Sequence, residues 1–411
     1  MPLLRNISEL ATCTPGSVQQ DAGLIRNAAL VWQGQQIAWV GPADELPLEF
    51  ANEQVIDCRN GLVVPGLVDC HTHLCFGGWR EAEFGQRLAG TSYQQIAEAG
   101  GGIRSTVAAT RGASQGSLLR KTLQHLDQML ALGITTVECK SGYGLDLANE
   151  LKQLEVYRLA GLEHSIDLVP TFLGAHTVPA EFARNRQAYI DLLCSEIIPR
   201  IAAEKLARFC DIFVEQGAFS PSEALQILSA AKQSGMKLKV HADQLSDQGA
   251  AALAAEMGAV SAEHLEYVSD QGIAAMAKAG VVAVSLPLAS LYLREKQTPS
   301  RKLLDAGVEV AVATDFNPGS APSFHLPLAM LLACLQQHMT PEEVLMAVTH
   351  IAAKALDLHD RVGSLRPGYR ADICMVDAPS LNHWVYHFRP NACLGVIKNG
   401  KYLSSSSGFG N

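Results

Sequence analysis

The residues Pro65-Gly66-Leu67-Val68-Asp69-Cys70-His71-Thr72-His73 join an apolar run to two ligand-type side chains, and the chemistry they suggest is metal binding. Gly61 to Asp69 is short, almost wholly apolar and rich in Val and Leu, the pattern of a strand buried on both faces. Side chains alternate along a strand, so His71 and His73 project to one side and aim two imidazoles at one point. A divalent ion at the edge of a core would fit there. One His-x-His also suits two polar residues at a strand end, so the remaining sequence decides. Lys237-Leu238-Lys239-Val240-His241 and Ala259-Val260-Ser261-Ala262-Glu263-His264 are β-rich runs ending in histidine. Val308-Glu309-Val310-Ala311-Val312-Ala313-Thr314-Asp315 ends in aspartate. The same design recurs four times.

Between Gly61 and Asn317, β-rich runs cover Leu62–Asp69, Ile134–Cys139, Ile166–Leu173, Phe209–Glu215, Leu238–His241, Val260–His264, Val281–Leu286 and Val308–Asp315. Helical patterns separate them. Leu119, Leu123, Leu126 and Leu130 share one helix face, with Gly133 as its stop. Ser220-Pro221-Ser222-Glu223 and Thr340-Pro341-Glu342-Glu343 each supply an N-cap, a first-turn proline and a capping-box acid. Eight strands alternating with helices predict an α/β fold, a (β/α)8 TIM barrel over residues 61–360. Its catalytic residues would sit at the C-terminal strand ends, where all four ligand-type residues fall. An open doubly wound sheet is the alternative, but its Gly-rich phosphate signature is missing. Gly100-Gly101-Gly102 is followed by no Lys-Ser/Thr and reads as a loop over the barrel mouth. Residues 1–60 and 361–411 are β-rich, with a hairpin at Asn399-Gly400, and are expected to form one small β-sandwich. Ser404 to Ser407 and the last residues read as a frayed tail.

Composition narrows the function classes. Thirty-two basic and 41 acidic residues give a formal charge of −9, which argues against a nucleic-acid surface. Met1 to Leu10 carries Arg5 and Glu9 and lacks a signal-type apolar segment, and no apolar stretch is long enough to span a bilayer. The ten cysteines include no Cys-x-x-Cys, so buried free thiols in a reducing cytoplasm are expected.

With these residues in place the chain resembles the amidohydrolase superfamily, whose strand-one signature Pro65–His73 matches closely. A narrower resemblance, to a ring-opening branch of histidine breakdown, covers nearly the whole chain. It is carried by His71-Thr72-His73 with Gly77-Gly78-Trp79-Arg80, Glu138-Cys139-Lys140-Ser141-Gly142-Tyr143-Gly144-Leu145 and Phe172-Leu173-Gly174-Ala175-His176. Val240-His241-Ala242-Asp243-Gln244 and Ala313-Thr314-Asp315-Phe316-Asn317-Pro318-Gly319-Ser320 complete it.

The resemblance implies one Zn(2+) or Fe ion held by His71, His73, His241 and Asp315. It implies that Arg80, Tyr143, His176, Gln244, Asn317, Gly319 and Ser320 contact substrate or product. The implied reaction is hydrolysis of the ring amide of 4-imidazolone-5-propanoate to N-formimidoyl-L-glutamate by a metal-activated water. The residue chemistry suits these roles. His264 could hold the carbonyl oxygen as charge develops, and Asp315 could carry the proton to the departing nitrogen. Arg80 suits a carboxylate arm. Gln244, an amide, can bind but cannot act as a base. The strand-four run Asp211-Ile212-Phe213-Val214-Glu215 lacks the lysine that bridges two metals in many relatives, which points to one metal. His125 and His164 read as surface residues, and His325, His338 and His350 as structural. The partners expected are a small-molecule substrate and, in a homodimer, a second copy. The competing readings are a mononuclear aminohydrolase of guanine or cytosine type and a non-catalytic assembly protein.

Overall fold

The computed structural model describes residues 1–14, 19–91 and 100–404, whose strands form two sheets. The N-terminal strands are β1 (Pro2–Ala11), β2 (Leu24–Gln33), β3 (Gln36–Pro42) and β4 (Gln54–Pro65). Next come β5 (Leu67–Asp69), β6 (Ile134–Lys140), β7 (Asp167–Ala175) and β8 (Phe209–Val214). They are followed by β9 (Lys237–Ala242), β10 (Ser261–His264), β11 (Val282–Ser285) and β12 (Val310–Val312). The last three are β13 (Ile373–Val376), β14 (Cys393–Lys398) and β15 (Lys401–Ser404).

Strands β5 to β12 stand in sequence order in one eight-stranded sheet, each parallel to its neighbour. Beyond the strand ends, Thr72 bridges to Phe316, and Asp315 N donates to His71 O at 3.0 Å. First and last strands are thereby tied together where the ligand-type residues sit. This is the expected barrel. The helix Gln115–Ala131 covers the leucine pattern, and the capping boxes at Ser220 and Thr340 are both formed.

The terminal segments build one seven-stranded sheet in the order β15-β14-β13-β4-β1-β2-β3. Leu10, Trp32, Val63, Ile373 and Ile397, from five of its strands, share one apolar cluster, and Trp32 Nε1 donates to Gly400 O at 2.9 Å. The expected sandwich is thus a single sheet coiled onto itself. Asn399 and Gly400 take φ of 52° and 74°, as the hairpin turn requires.

One strand differs from expectation. The run Leu62–Asp69 is two strands, because β4 ends at Pro65 in the terminal sheet and β5 starts the barrel at Leu67. A Cβ on Gly66 would lie 2.4 Å from Thr135 Oγ1, so only glycine fits at this crossing. Both halves are apolar and buried, and periodicity cannot see the join. All ten cysteines are free. No helix among the described residues is long and apolar enough to cross a membrane. The tail after Ser404 lies outside the described residues.

Candidate metal centre

His71 and His73 follow β5, His241 lies in β9, His264 ends β10, and Asp315 stands three residues past β12. The barrel converges them. Ring centroids of His71 and His241 are 4.7 Å apart, those of His71 and His73 5.4 Å, and those of His73 and His241 5.6 Å. Asp315 Oδ1 lies 3.3 Å from His71 Nε2 and 3.4 Å from His73 Nε2. Two overlapping groups, His71-His73-Asp315 and His71-His241-His264, each bring their potential ligand atoms within 4.8 Å of one another. His264 therefore stands within ligand reach as well. Asp315 and His264 carry positive φ of 54° and 77°, strain of a kind that clusters at functional sites.

The donor set fits a divalent ion. His71 Nε2 and His241 Nε2 are buried without a hydrogen-bond partner among the described residues, which is costly unless something else binds them. Burial pushes His73 down to about 4 and lowers His241, so both rings are neutral and free to ligate. Burial resists ionisation of Asp315, but His71 and His73 hold it well below the usual carboxylate range. Burial likewise disfavours a charged His71, yet the Glu263 carboxylate outweighs it and raises the ring to about 9, so His71 would release a proton on binding an ion.

Beneath the histidines lies a fully buried charge lattice that the sequence reading did not assign. Glu263 Oε2 is 2.6 Å from His71 Nδ1, and Asp211 Oδ2 is 2.9 Å from His241 Nδ1. Lys140 Nζ lies 2.8 Å from Asp211 and from Glu263 and 3.0 Å from Glu138. Lys239 Nζ adds contacts to Glu138 and Glu263 at 3.0 and 2.9 Å. A signal was available: Glu138 and Lys140, or Lys239 and His241, are two apart on a strand and share its inward face.

Of the residues expected to contact substrate, Tyr143 and His176 stand beside His73. Tyr143 is buried, with its ring 5.9 Å from that of His73, and the His176 ring stacks on His73 at 5.2 Å. Burial and the neighbouring His73 and His241 push His176 well below its ordinary pKa. Arg80 grips Glu83 Oε2 through Nε at 2.9 Å and a terminal nitrogen at 2.7 Å, while Glu83 Oε1 accepts from Gly102 N and Ser105 Oγ. A Cβ on Gly319 would fall 2.1 Å from an Arg80 terminal nitrogen, so the guanidinium lies against the Asn317–Ser320 loop. Asn317 shapes that loop from within. Its Oδ1 accepts from Gly319 N and Ser320 N, and its Nδ2 donates to Asp315 O and Ser320 Oγ. Gln244 is half-buried three residues past His241.

Two histidine expectations need correction. His125 is buried against Phe76, Trp79 and Phe316 because its helix packs on the strand-end loops. The His164 side chain is largely covered and caps its own turn, accepting from Ile166 N through Nδ1. His325 and His338 cap the two ends of the helix Leu326–Gln337, and His350 packs near His359.

The amidohydrolase family profile matches residues 62–403. Imidazolonepropionase of Symbiobacterium thermophilum is 47% identical over 393 residues, 94% of this chain and 92% of its own. That of Geobacillus kaustophilus is 46% identical over 387 residues, 93% of this chain and 91% of its own. Among solved structures, 5-methylcytosine deaminase from Klebsiella pneumoniae liganded with phosphonocytosine superposes with a TM-score of 0.74 at 19% identity, over 98% of both chains. An adenosine deaminase from Xanthomonas campestris with bound zinc gives 0.72 at 19% identity, over 98% of this chain and 92% of its own. At such identity these two likenesses bear on the fold alone.

Proposed function

The chain belongs to the amidohydrolase family, and from that premise we infer that it hydrolyses the ring amide of 4-imidazolone-5-propanoate to N-formimidoyl-L-glutamate. It is a hydrolase of carbon–nitrogen bonds in cyclic amides, acting on a small molecule in histidine degradation. The observation that carries this reading is the 43–47% identity to imidazolonepropionases over nearly the full chain. The buried acceptor set at the barrel mouth supports it. We assign one Zn(2+) or Fe ion to His71, His73, His241 and Asp315, and place the enzyme in the cytoplasm. A bound divalent ion would acidify a water and polarise the ring carbonyl.

The chain's own residues supply the rest. We assign to Asp315 Oδ2, which accepts from Ser320 Oγ at 3.3 Å, the transfer of a proton from the attacking water to the departing ring nitrogen. His264 faces the same centre, its ring 5.3 Å from that of His241, and is placed to donate to the carbonyl oxygen as negative charge develops. Arg80 binds the propionate arm, held at the Asn317–Ser320 loop that follows Asp315. Tyr143 and His176 line the ring side of the pocket. Gln244 contributes binding only.

Ring opening and deamination differ in what leaves. The lactam route keeps both ring nitrogens in its product, whereas a deaminase expels one as ammonia. Purified, metal-loaded protein should consume the imidazolone chromophore without stoichiometric ammonia and leave guanine and cytosine unchanged. Ammonia from a nucleobase, with no turnover of the imidazolone, would establish the aminohydrolase reading instead.

A further inference from the structure

Lys140 sits at the centre of the lattice under the metal centre, and the oxygens it touches are shared. Asp211 Oδ2 faces both Lys140 Nζ, at 2.8 Å, and His241 Nδ1, at 2.9 Å. Glu263 Oε2 faces both Lys140 Nζ, at 2.8 Å, and His71 Nδ1, at 2.6 Å. One ammonium thus connects the rear edges of two imidazoles from opposite parts of the barrel. The lysine itself is fixed: its N–H donates to Thr72 O at 2.9 Å, and its carbonyl accepts from Tyr157 Oη at 2.7 Å. Thr72 lies between His71 and His73.

We propose that Lys140 is a positioning residue for the metal centre, pinning Asp211 and Glu263 so that His241 and His71 turn their Nε2 atoms toward the ion. The inference rests on the reading that these histidines bind metal. Carboxylates behind ligating imidazoles fix ring orientation and raise ligand basicity, and losing such a partner typically costs about 10–100-fold in metal affinity. The two buried lysines are not equivalent here. Lys239 contacts Glu138 and Glu263, whereas Asp211 is contacted by Lys140 alone of the two. Removing Lys140 therefore leaves Asp211 without a lysine, while removing Lys239 leaves both imidazole-facing carboxylates paired.

The test compares wild type with Lys140→Met, Lys239→Met and Asp211→Asn, each loaded with Co(2+). Affinity is read by chelator competition, ligand geometry by the visible cobalt spectrum, and folding by circular dichroism. Lys140→Met and Asp211→Asn should weaken cobalt binding by about 10–100-fold and alter its spectrum, with a smaller change for Lys239→Met. Asp211→Asn preserves shape and removes one buried negative charge, so it carries the test if Lys140→Met does not fold. Wild-type affinity and spectrum in either folded variant would overturn the proposal, as would equal losses in Lys140→Met and Lys239→Met. A wild-type protein that takes up no cobalt would overturn the metal reading itself, and the inference with it.

Discussion

Asp69 on the first barrel strand accepts two hydrogen bonds from Thr314 beyond the last, from its backbone N at 3.1 Å and its hydroxyl at 2.6 Å. Both side chains are fully buried, so the pair joins the ends of the barrel sheet one residue from Asp315 and two from His71. Burial raises the Asp69 carboxyl to about 7, so it is no fixed charge, and leaving such a buried acceptor unsatisfied costs about 1–3 kcal/mol. Thr314→Val keeps the shape and removes the hydroxyl. It should lower unfolding stability by that amount in urea titration and broaden the cobalt spectrum of the loaded protein. An unchanged unfolding midpoint would show that the barrel closes without this bond.

Gly319 is where a side chain would meet Arg80. A Cβ there falls 2.1 Å from the guanidinium, far inside contact distance, so Gly319→Ala must displace Arg80. Arg80→Met removes the charge-assisted bond to the substrate carboxylate, and kcat/KM should fall by at least about tenfold. Gly319→Ala should lose a comparable factor at normal metal content. The double variant should be no worse than Arg80→Met alone, because both changes remove one interaction. Additive losses would separate the two residues.

The barrel and the convergence of its strand-end histidines and aspartate were legible because each signal is local: an apolar run, then a histidine or aspartate at its end. His71, His73, His241 and Asp315 are carried by three strands, β5, β9 and β12, yet each is marked by its own neighbours. What escaped depends on packing. Glu263 was passed over beside His264, although its carboxylate faces His71 from across the barrel. Nothing in the sequence marks Lys140 as an ion-pair centre, since its partners on β8 and β10 are distant along the chain. The join at Gly66 was hidden because both sheets bury apolar residues alike. His125 was misread because helix periodicity does not reveal which loops settle on the helix's outer face.

Asp315 is assigned two tasks, and one substitution separates them. Asp315→Asn keeps an oxygen near His71 and His73 but cannot carry a proton. Loss of general acid–base catalysis typically costs about 10²–10⁴-fold. The informative preparation is one with metal content verified by elemental analysis, because metal loss alone would also abolish turnover. A fully loaded Asp315→Asn enzyme with near-normal kcat would remove the shuttle role and leave His264 as the next candidate.

His125 gives a pH dependence that owes nothing to catalysis. Burial among aromatic rings, aided by nearby Lys121, pushes it down to about 4 from 6.5. Between those values the unfolded chain binds a proton that the folded chain refuses. The associated stability is present above about pH 6.5 and is lost as pH falls toward 4, by at most about 3 kcal/mol. His350, also pushed down to about 4 by burial, contributes in the same window, so the slope alone does not isolate His125. The comparison with His125→Leu does. That variant should show a shallower fall in unfolding free energy between pH 6.5 and 4 than wild type, measured by urea titration at fixed ionic strength. Equal slopes would mean that His125 is protonated in the folded protein, with the aromatic cluster around Phe76 and Phe316 open to water.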